Sequence, residues 1–444
     1  MVAANVKIIE ELKSFLEIVS EEPEIRKLFT ESEEDFTRDR KLPLERIAGI
    51  IINMPKRSLS IEIQEFFNSL GEESASSTKG AFSLQRTKLQ PLFFEIWNQW
   101  LVAAFYTHYG DKVKRWRGFR LQAIDGSTAY LLNKPDVVAH FGVQANQFGS
   151  IAMARVMQIQ DILNDITVRG EIHPIKTSEK AIMANMVSHL YEDSLTMFDR
   201  GFPSFALMYL MLNEEENSRH FVMRCTTVFN KEVRQFMLSS KSSKIVEMQA
   251  TSKAIETLKK QGHIVTFETT IKIRMVKIRL SNGDTEILLT DLYDENLFTL
   301  EDLKFLYNLR WGIETTYGKQ KNQLQMEQFS GHRVLCIKQD YAAGIFVANV
   351  QSLVEKQCEN YLININKKRK LEYKINRNLS WASLKFNIVK LFLDNEPEQI
   401  LLKLQKAFER NIEPIRPGRK LPRVVKGKRM NGKYQTFTNY KRAI

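Results

Sequence analysis

The order of apolar patterns between Val113 and Cys225 restricts the fold more than any other feature of this chain. Three runs read as strands: one within KRWRGFRLQAIDGST, then IAMARVMQIQDI and ITVRGEI. KTSEKAIMANMVSHLY follows with helical spacing. SLTMFDRGF reads as a strand ending in Asp-Arg-Gly, PSFALMYLMLNEE as a helix and RHFVMRC as a closing strand. Three strands, helix, strand, helix, strand is an α/β layer pattern, not a helical bundle.

That order is what a ribonuclease-H-like core would give, and the flanks differ from it in texture. Residues 1–110 read as helical, with helix-spaced apolar residues in KIIEELKSFLEIV and LPLERIAGIIINM. Within them SIEIQEFFNSL (Ser60–Leu70) and KGAFSLQRTKL (Lys79–Leu89) are two short helices joined by GEESASST, which supplies a capping Ser or Thr. The second helix carries Lys79, Gln85, Arg86 and Lys88, a set that could enter a major groove as in helix-turn-helix proteins.

A mixed segment spans about 226–295. It holds a helical KIVEMQATSKAIETLKK and two alternating runs around the hairpin signal Asn282-Gly283-Asp284. DYAAGIFVANVQSLVEKQCENYL reads as a buried helix, and WASLKFNIVKLFLDNEPEQILLKLQKAF as one or two more. The predicted architecture is α/β: a helical N-terminal DNA-binding domain (1–110), a catalytic core (111–353) with a β-rich insertion, C-terminal helices (354–410) and a basic tail (411–444).

Three carboxylates stand at positions where this layout can bring them together. Asp125 follows a predicted strand in AIDGS, Asp199 follows another in LTMFDRG, and Glu314 lies in YNLRWGIETTYGKQK, read as one helix. At about 100° per residue, Tyr307, Arg310, Glu314 and Lys321 share one face of that helix. Each feature has an ordinary reading: Asp-Gly and Asp-Arg-Gly form turns, and Arg310 with Glu314 is a common i, i+4 pair. Jointly, hard oxygen ligands at strand ends suit Mg²⁺ or Mn²⁺, two per site, and not zinc. Two such ions activate a water or a 3′ hydroxyl in phosphodiester transfer. Arg310 and Lys321 would then hold phosphates and Tyr307 the terminal nucleotide. No HExxH, P-loop, GxGxxG after a strand or GxSxG competes with this set.

Charge agrees with a polyanionic partner. The net charge is +13, and residues 410–444 alone carry +10 of it among interspersed Pro and Gly, a composition suited to neutralising phosphates. Cys225, Cys336 and Cys358 are too dispersed for a disulfide scaffold or a metal site and suit a reducing compartment. The N-terminal pattern is an amphipathic helix, not a signal peptide, and apolar runs such as Phe205–Leu212 are too short to cross a bilayer. The expectation is a cytoplasmic, nucleoid-associated bacterial protein with no membrane partner.

The pattern Y-x2-R-x3-E-x6-K, met by Tyr307, Arg310, Glu314 and Lys321, with Asp125 in AIDGST and Asp199 in MFDRGF upstream, resembles the DDE transposases of the insertion-sequence-4 family. The resemblance runs from about Arg115 to Leu353 and includes the FSGH and KQDYAAGIF segment. It implies a Mg²⁺-dependent transposase in which Asp125, Asp199 and Glu314 are catalytic and hold the metal. Such an enzyme binds terminal inverted repeats, cleaves transposon ends and joins them to target DNA as a homodimer in a paired-end complex. The N-terminal helices, with Lys79, Arg86 and Lys88, would recognise the double-stranded ends, and helices near Trp381–Phe408 would contribute to subunit pairing. Some relatives stack a flipped base on a Trp in the insertion. This chain has none between Trp116 and Trp311, leaving Phe298, Tyr293 or Trp311 for such a role. The alternatives are a catalytically inactive DNA-binding regulator or relic, and a ribonuclease-H-fold nuclease without strand transfer.

Overall fold

The structure, a computed structural model, describes residues 1–38, 40–54, 56–146, 149–212, 219–280 and 283–416. The basic tail beyond residue 416 and the Asn282 position of the hairpin therefore lie outside the described residues. Among them, no helix is long and apolar enough to cross a membrane.

A nine-stranded mixed sheet organises the molecule. Its strands are β1 (Arg120–Tyr130), β2 (Val143–Asn146), β3 (Gly149–Asp161), β4 (Ile166–Pro174), β5 (Ser194–Phe198), β6 (His220–Cys225), β7 (Ser243–Gln249), β8 (Thr270–Arg279) and β9 (Thr285–Thr290). The order across the sheet is β2-β3-β1-β5-β6-β9-β8-β7, with β4 also paired to β3. β1 pairs antiparallel with β3 and parallel with β5, which in turn pairs parallel with β6. The elements read from sequence follow one another in that order, with a helix (Pro135–Phe141) and β2 added between the first two predicted strands. β5, at the centre, is apolar or buried throughout, as a strand covered on both faces must be.

The segment 226–295 extends the same sheet. β9 pairs antiparallel with the free edge of β6, and β8 and β7 follow outward. One expectation is corrected here. The spacing in KIVEMQATSKAIETLKK predicts a helix from Lys244, but Ser243–Gln249 is a strand, and the helix begins only at Ser252 behind its Thr251 cap. Ile245 and Val246 are β-branched residues, and pairing along all of β7 to β8 outweighs the short helical spacing.

The helices before and after the sheet pack together. The helix Val334–Gln357 is buried along most of its length. Phe346 on it stacks on Trp97 of the helix Leu92–Tyr109 with ring centroids 4.1 Å apart, and Phe392 closes on both rings. Asn349 locks this layer to the sheet, donating to Asn98 Oδ1 (2.7 Å) and to the Thr167 carbonyl (2.8 Å), while accepting from the Thr167 N–H (2.8 Å). A buried amide with its partners met fixes one packing arrangement where apolar contacts alone would tolerate several. The C-terminal segment makes three helices (Arg377–Lys385, Ile388–Leu393, Pro397–Arg410) where one or two were expected.

Candidate active site

Register places the first two acids. The parallel pairing of β1 with β5 ends at Ile124 opposite Phe198, so Asp125 and Asp199 are the residues that follow the last pair. β5 stops there. β1 does not: it runs on to Tyr130 because β3 continues to pair with it through Met153. Asp125 therefore lies within a strand instead of after one, a correction to the sequence reading, and Asp-Gly here is no turn. Gly126 is glycine for another reason. A Cβ on it would lie 2.5 Å from Oε1 of Glu179, the first residue of the helix Glu179–Met186, and Glu179 is held in place by an ion pair with Arg155 of β3.

The third acid arrives on a helix that rests on β1. The stretch 307–321 is not one helix, as its periodicity suggested, but two, Leu300–Leu309 and Trp311–Asn322, jointed at Arg310. Around the joint the Arg310 and Ile313 amides bond three residues back instead of four. Gly312 allows the second helix to approach the β3–β4 connection, since a Cβ there would meet Ile162 Cγ2 at 2.9 Å. Gly318 has no neighbour that requires it.

Along that helix, the Tyr317 hydroxyl donates to the Asp125 carbonyl (2.8 Å). The Lys321 ammonium donates to Ser127 Oγ (2.9 Å) and to the Thr128 carbonyl (2.6 Å), and Gln320 Oε1 accepts from Gln158 of β3 (2.7 Å). Lys321, expected to reach phosphate, is here a tie between helix and strand.

Tyr307 and Arg310 meet the acids directly. The Tyr307 hydroxyl donates to Asp199 Oδ1 at 3.2 Å, and Arg310 pairs with Glu314 at 3.0 Å. The Arg310 guanidinium, only 3% exposed, also lies 5.6 Å from the Tyr307 ring centre, and its Nε finds no hydrogen-bond partner. Burial raises the Asp125 carboxyl to about 6. Arg310 and the Gly126 N–H counter that rise, while the charges of Glu314 and Asp199 add to it. Burial likewise pushes the Tyr307 phenol up. The three carboxylates thus share one electrostatic field with Arg310 at its centre.

Two flanking residues escaped the sequence reading. Arg224 of β6 approaches Asp199 (Nε to Oδ1, 3.4 Å), and Glu286 of β9 accepts from its other end at 2.5 Å. Glu179, described above, borders Gly126 and comes within 4.0 Å of a Cβ on Gly201. The signal for Arg224 was available: it is a cation at the end of a strand whose neighbours Phe221, Val222, Met223 and Cys225 are all buried.

Three acids in kind suit a divalent cation such as Mg²⁺, yet their present placement does not close on one. Among the described residues, no group of three or more His, Cys, Asp or Glu side chains is arranged to hold a metal ion. Glu314 is turned to Arg310 instead.

The candidate nucleic-acid residues of the N-terminal region separate into two kinds. The helix expected over Lys79–Leu89 forms over Lys79–Arg86, with Thr78 as its cap accepting from Ala81 N–H at 3.0 Å. Lys79 is exposed on it. Lys88, just past its end, pairs with Asp35 (2.9 Å). Arg86 is corrected: it is 3% exposed and points into the molecule, bonding Gln339 Oε1 (2.6 Å), Asp340 Oδ1 (2.7 Å) and the Cys336 carbonyl (3.1 Å). The helix presents Arg86 inward because Phe82, four residues earlier on the same face, is core.

No family model matches the chain. A stretch of 111 residues, 24% of this chain, is 25% identical to the Escherichia coli (strain K12) protein named "Putative transposase InsZ", and it spans 37% of that relative's length. Among solved structures, the piggyBac transposase synaptic complex with hairpin DNA aligns over 97% of this chain and 88% of its own, at 13% identity. The TM-score of that alignment is 0.39.

Proposed function

We propose that this chain is a DDE transposase of the insertion-sequence-4 type that binds double-stranded transposon ends, cleaves them and joins them to target DNA. The observation that carries the reading is the register Ile124 opposite Phe198, which sets Asp125 beside Asp199, with Tyr307 and Arg310 converging on the same acids. The order β4-β3-β1-β5-β6, three antiparallel strands followed by two parallel ones, supports a ribonuclease-H-like core. The partial likeness to a transposase-named relative agrees.

In this reading Asp125, Asp199 and Glu314 would hold Mg²⁺ or Mn²⁺. When bound, the ions supply activation of a water or 3′ hydroxyl and stabilise the leaving oxygen. The chain's own residues do the rest. Tyr307 orients Asp199 through its hydroxyl, Arg224 flanks the same carboxylate, and Lys321 and Tyr317 fix the height of Glu314 over β1. Arg310 and Arg224 offset the acids' charge and would meet phosphate oxygens with planar donor forks. Lys79, open to solvent, would contact the phosphate backbone, and Lys88 would do so on leaving Asp35. The assembly would be a homodimer holding paired ends.

The test is cleavage of a plasmid carrying the gene with its native flanks, using purified protein and Mg²⁺ beside Asp125→Asn and Glu314→Gln. Breaks at the element's edges made by wild type alone are expected. Binding without cleavage by all three proteins would instead identify a DNA-binding relic, and cutting without joining a nuclease.

A further inference from the structure

Resting on the reading of Asp125, Asp199 and Glu314 as cation ligands, we infer that Arg310 is the site's resident counter-cation. It occupies Glu314 until a divalent ion displaces it, and is then free to take a phosphate. The inference starts from the mismatch in the site: acids that suit a metal in kind but are not arranged to hold one. Arg310 accounts for the mismatch. Its guanidinium is buried, donates to Glu314 at 3.0 Å, and counters the charge of Asp125 and Asp199 as well.

The Arg310 Nε finds no hydrogen-bond partner, so the pair with Glu314 leaves one donor of the guanidinium unspent. Glu314, by contrast, keeps 40% of its side chain exposed, so it can turn from Arg310 without unpacking anything. The guanidinium has other neighbours in both arrangements, the faces of Tyr307 (5.6 Å) and Trp311 (5.4 Å). Trp311 is 57% exposed, so the second of these lies toward solvent. Cation and phosphate binding are therefore coupled. An incoming ion takes the carboxylate and releases the fork, and a phosphate that takes the fork frees the carboxylate for the ion.

The test titrates Mn²⁺ into the full-length protein, with and without a short duplex, reading heat of binding and the unfolding temperature. Arg310→Gln removes the competing charge, and Arg310→Lys keeps it as a control for folding. The expected result is that Arg310→Gln binds Mn²⁺ roughly tenfold more tightly than wild type without DNA. Arg310→Lys should stay near wild type, and duplex should tighten Mn²⁺ binding in wild type but not in Arg310→Gln. Equal Mn²⁺ affinity in wild type and Arg310→Gln, with binding lost in Glu314→Gln, would overturn the inference and leave the metal site standing. No Mn²⁺ binding by wild type or Arg310→Gln, or binding untouched by Glu314→Gln, would overturn both.

Discussion

At Gly126 a single hydrogen in place of a methyl group decides what can stand beside Asp125. The Asp-Gly pair was legible in the sequence as either a turn or a ligand. The structure makes it a mid-strand close approach, because Glu179 arrives from a helix some fifty residues on and no local pattern announces it. Gly126→Ala should force Glu179 off Arg155 and cost about 1–3 kcal/mol, as overpacking does. Urea unfolding checks this, and adding Glu179→Ala should recover most of the loss. A double variant no more stable than the single one would show that the strain lies elsewhere. The same limit hid Arg224: its cationic character was visible, but its pairing with Asp199 depends on strand order.

The helix Lys79–Arg86 shows how an element can be read correctly while its faces are not. Its start, its Thr78 cap and its exposed Lys79 match the sequence reading, whereas it ends at Arg86 instead of Leu89 and Arg86 serves the interior. Charge alone cannot report that, since the partner Asp340 lies far along the chain in the helix Val334–Gln357. Arg86→Ala should remove about 3–5 kcal/mol by taking the buried guanidinium away from Asp340, which keeps the neutral Ser330 donors. Lys79→Ala should change stability by less than about 0.5 kcal/mol. Thermal unfolding of the two variants separates the faces, and equal shifts would contradict the assignment. For the signature stretch the periodicity gave the shared direction of Tyr307, Arg310 and Glu314 but missed the joint at Arg310. Contact with the sheet sets that joint.

Across the whole molecule, one charge cluster ties four elements together: Asp165 in the β3–β4 turn, Lys319 on the signature helix, Glu355 on the long helix and Arg377 at the start of a C-terminal helix. Burial pushes the Asp165 carboxyl up, but Arg377 and Lys319 outweigh it and hold the group well below the ordinary carboxylate range. A lowered folded-state value means the contribution is complete above the unfolded value of about 4 and is lost as pH falls through the range beneath it. Glu355, raised by burial, acts with the opposite sign and at higher pH. Unfolding followed from pH 5 to pH 2 should therefore show an acid-side loss in wild type that is shallower in Asp165→Asn. An unchanged slope would remove Asp165 from that role. At this scale the α/β order was legible because each strand and helix carries its own period. The joining of the chain's two helical ends around Trp97 and Phe346 was not, because nothing local encodes it.

The footing of the helix Trp311–Asn322 on β1 has a consequence for how such a protein can change over time. Tyr317 and Lys321 index Glu314 to the same strand that bears Asp125, so the separation of first and third acid is measured across the sheet and not along the chain. The residues between β6 and the helix Leu300–Leu309 are then a tether, not a ruler. That span can be lengthened, trimmed or exchanged wholesale without moving the acids, as long as its replacement covers the β6 edge and returns a carboxylate to Arg224.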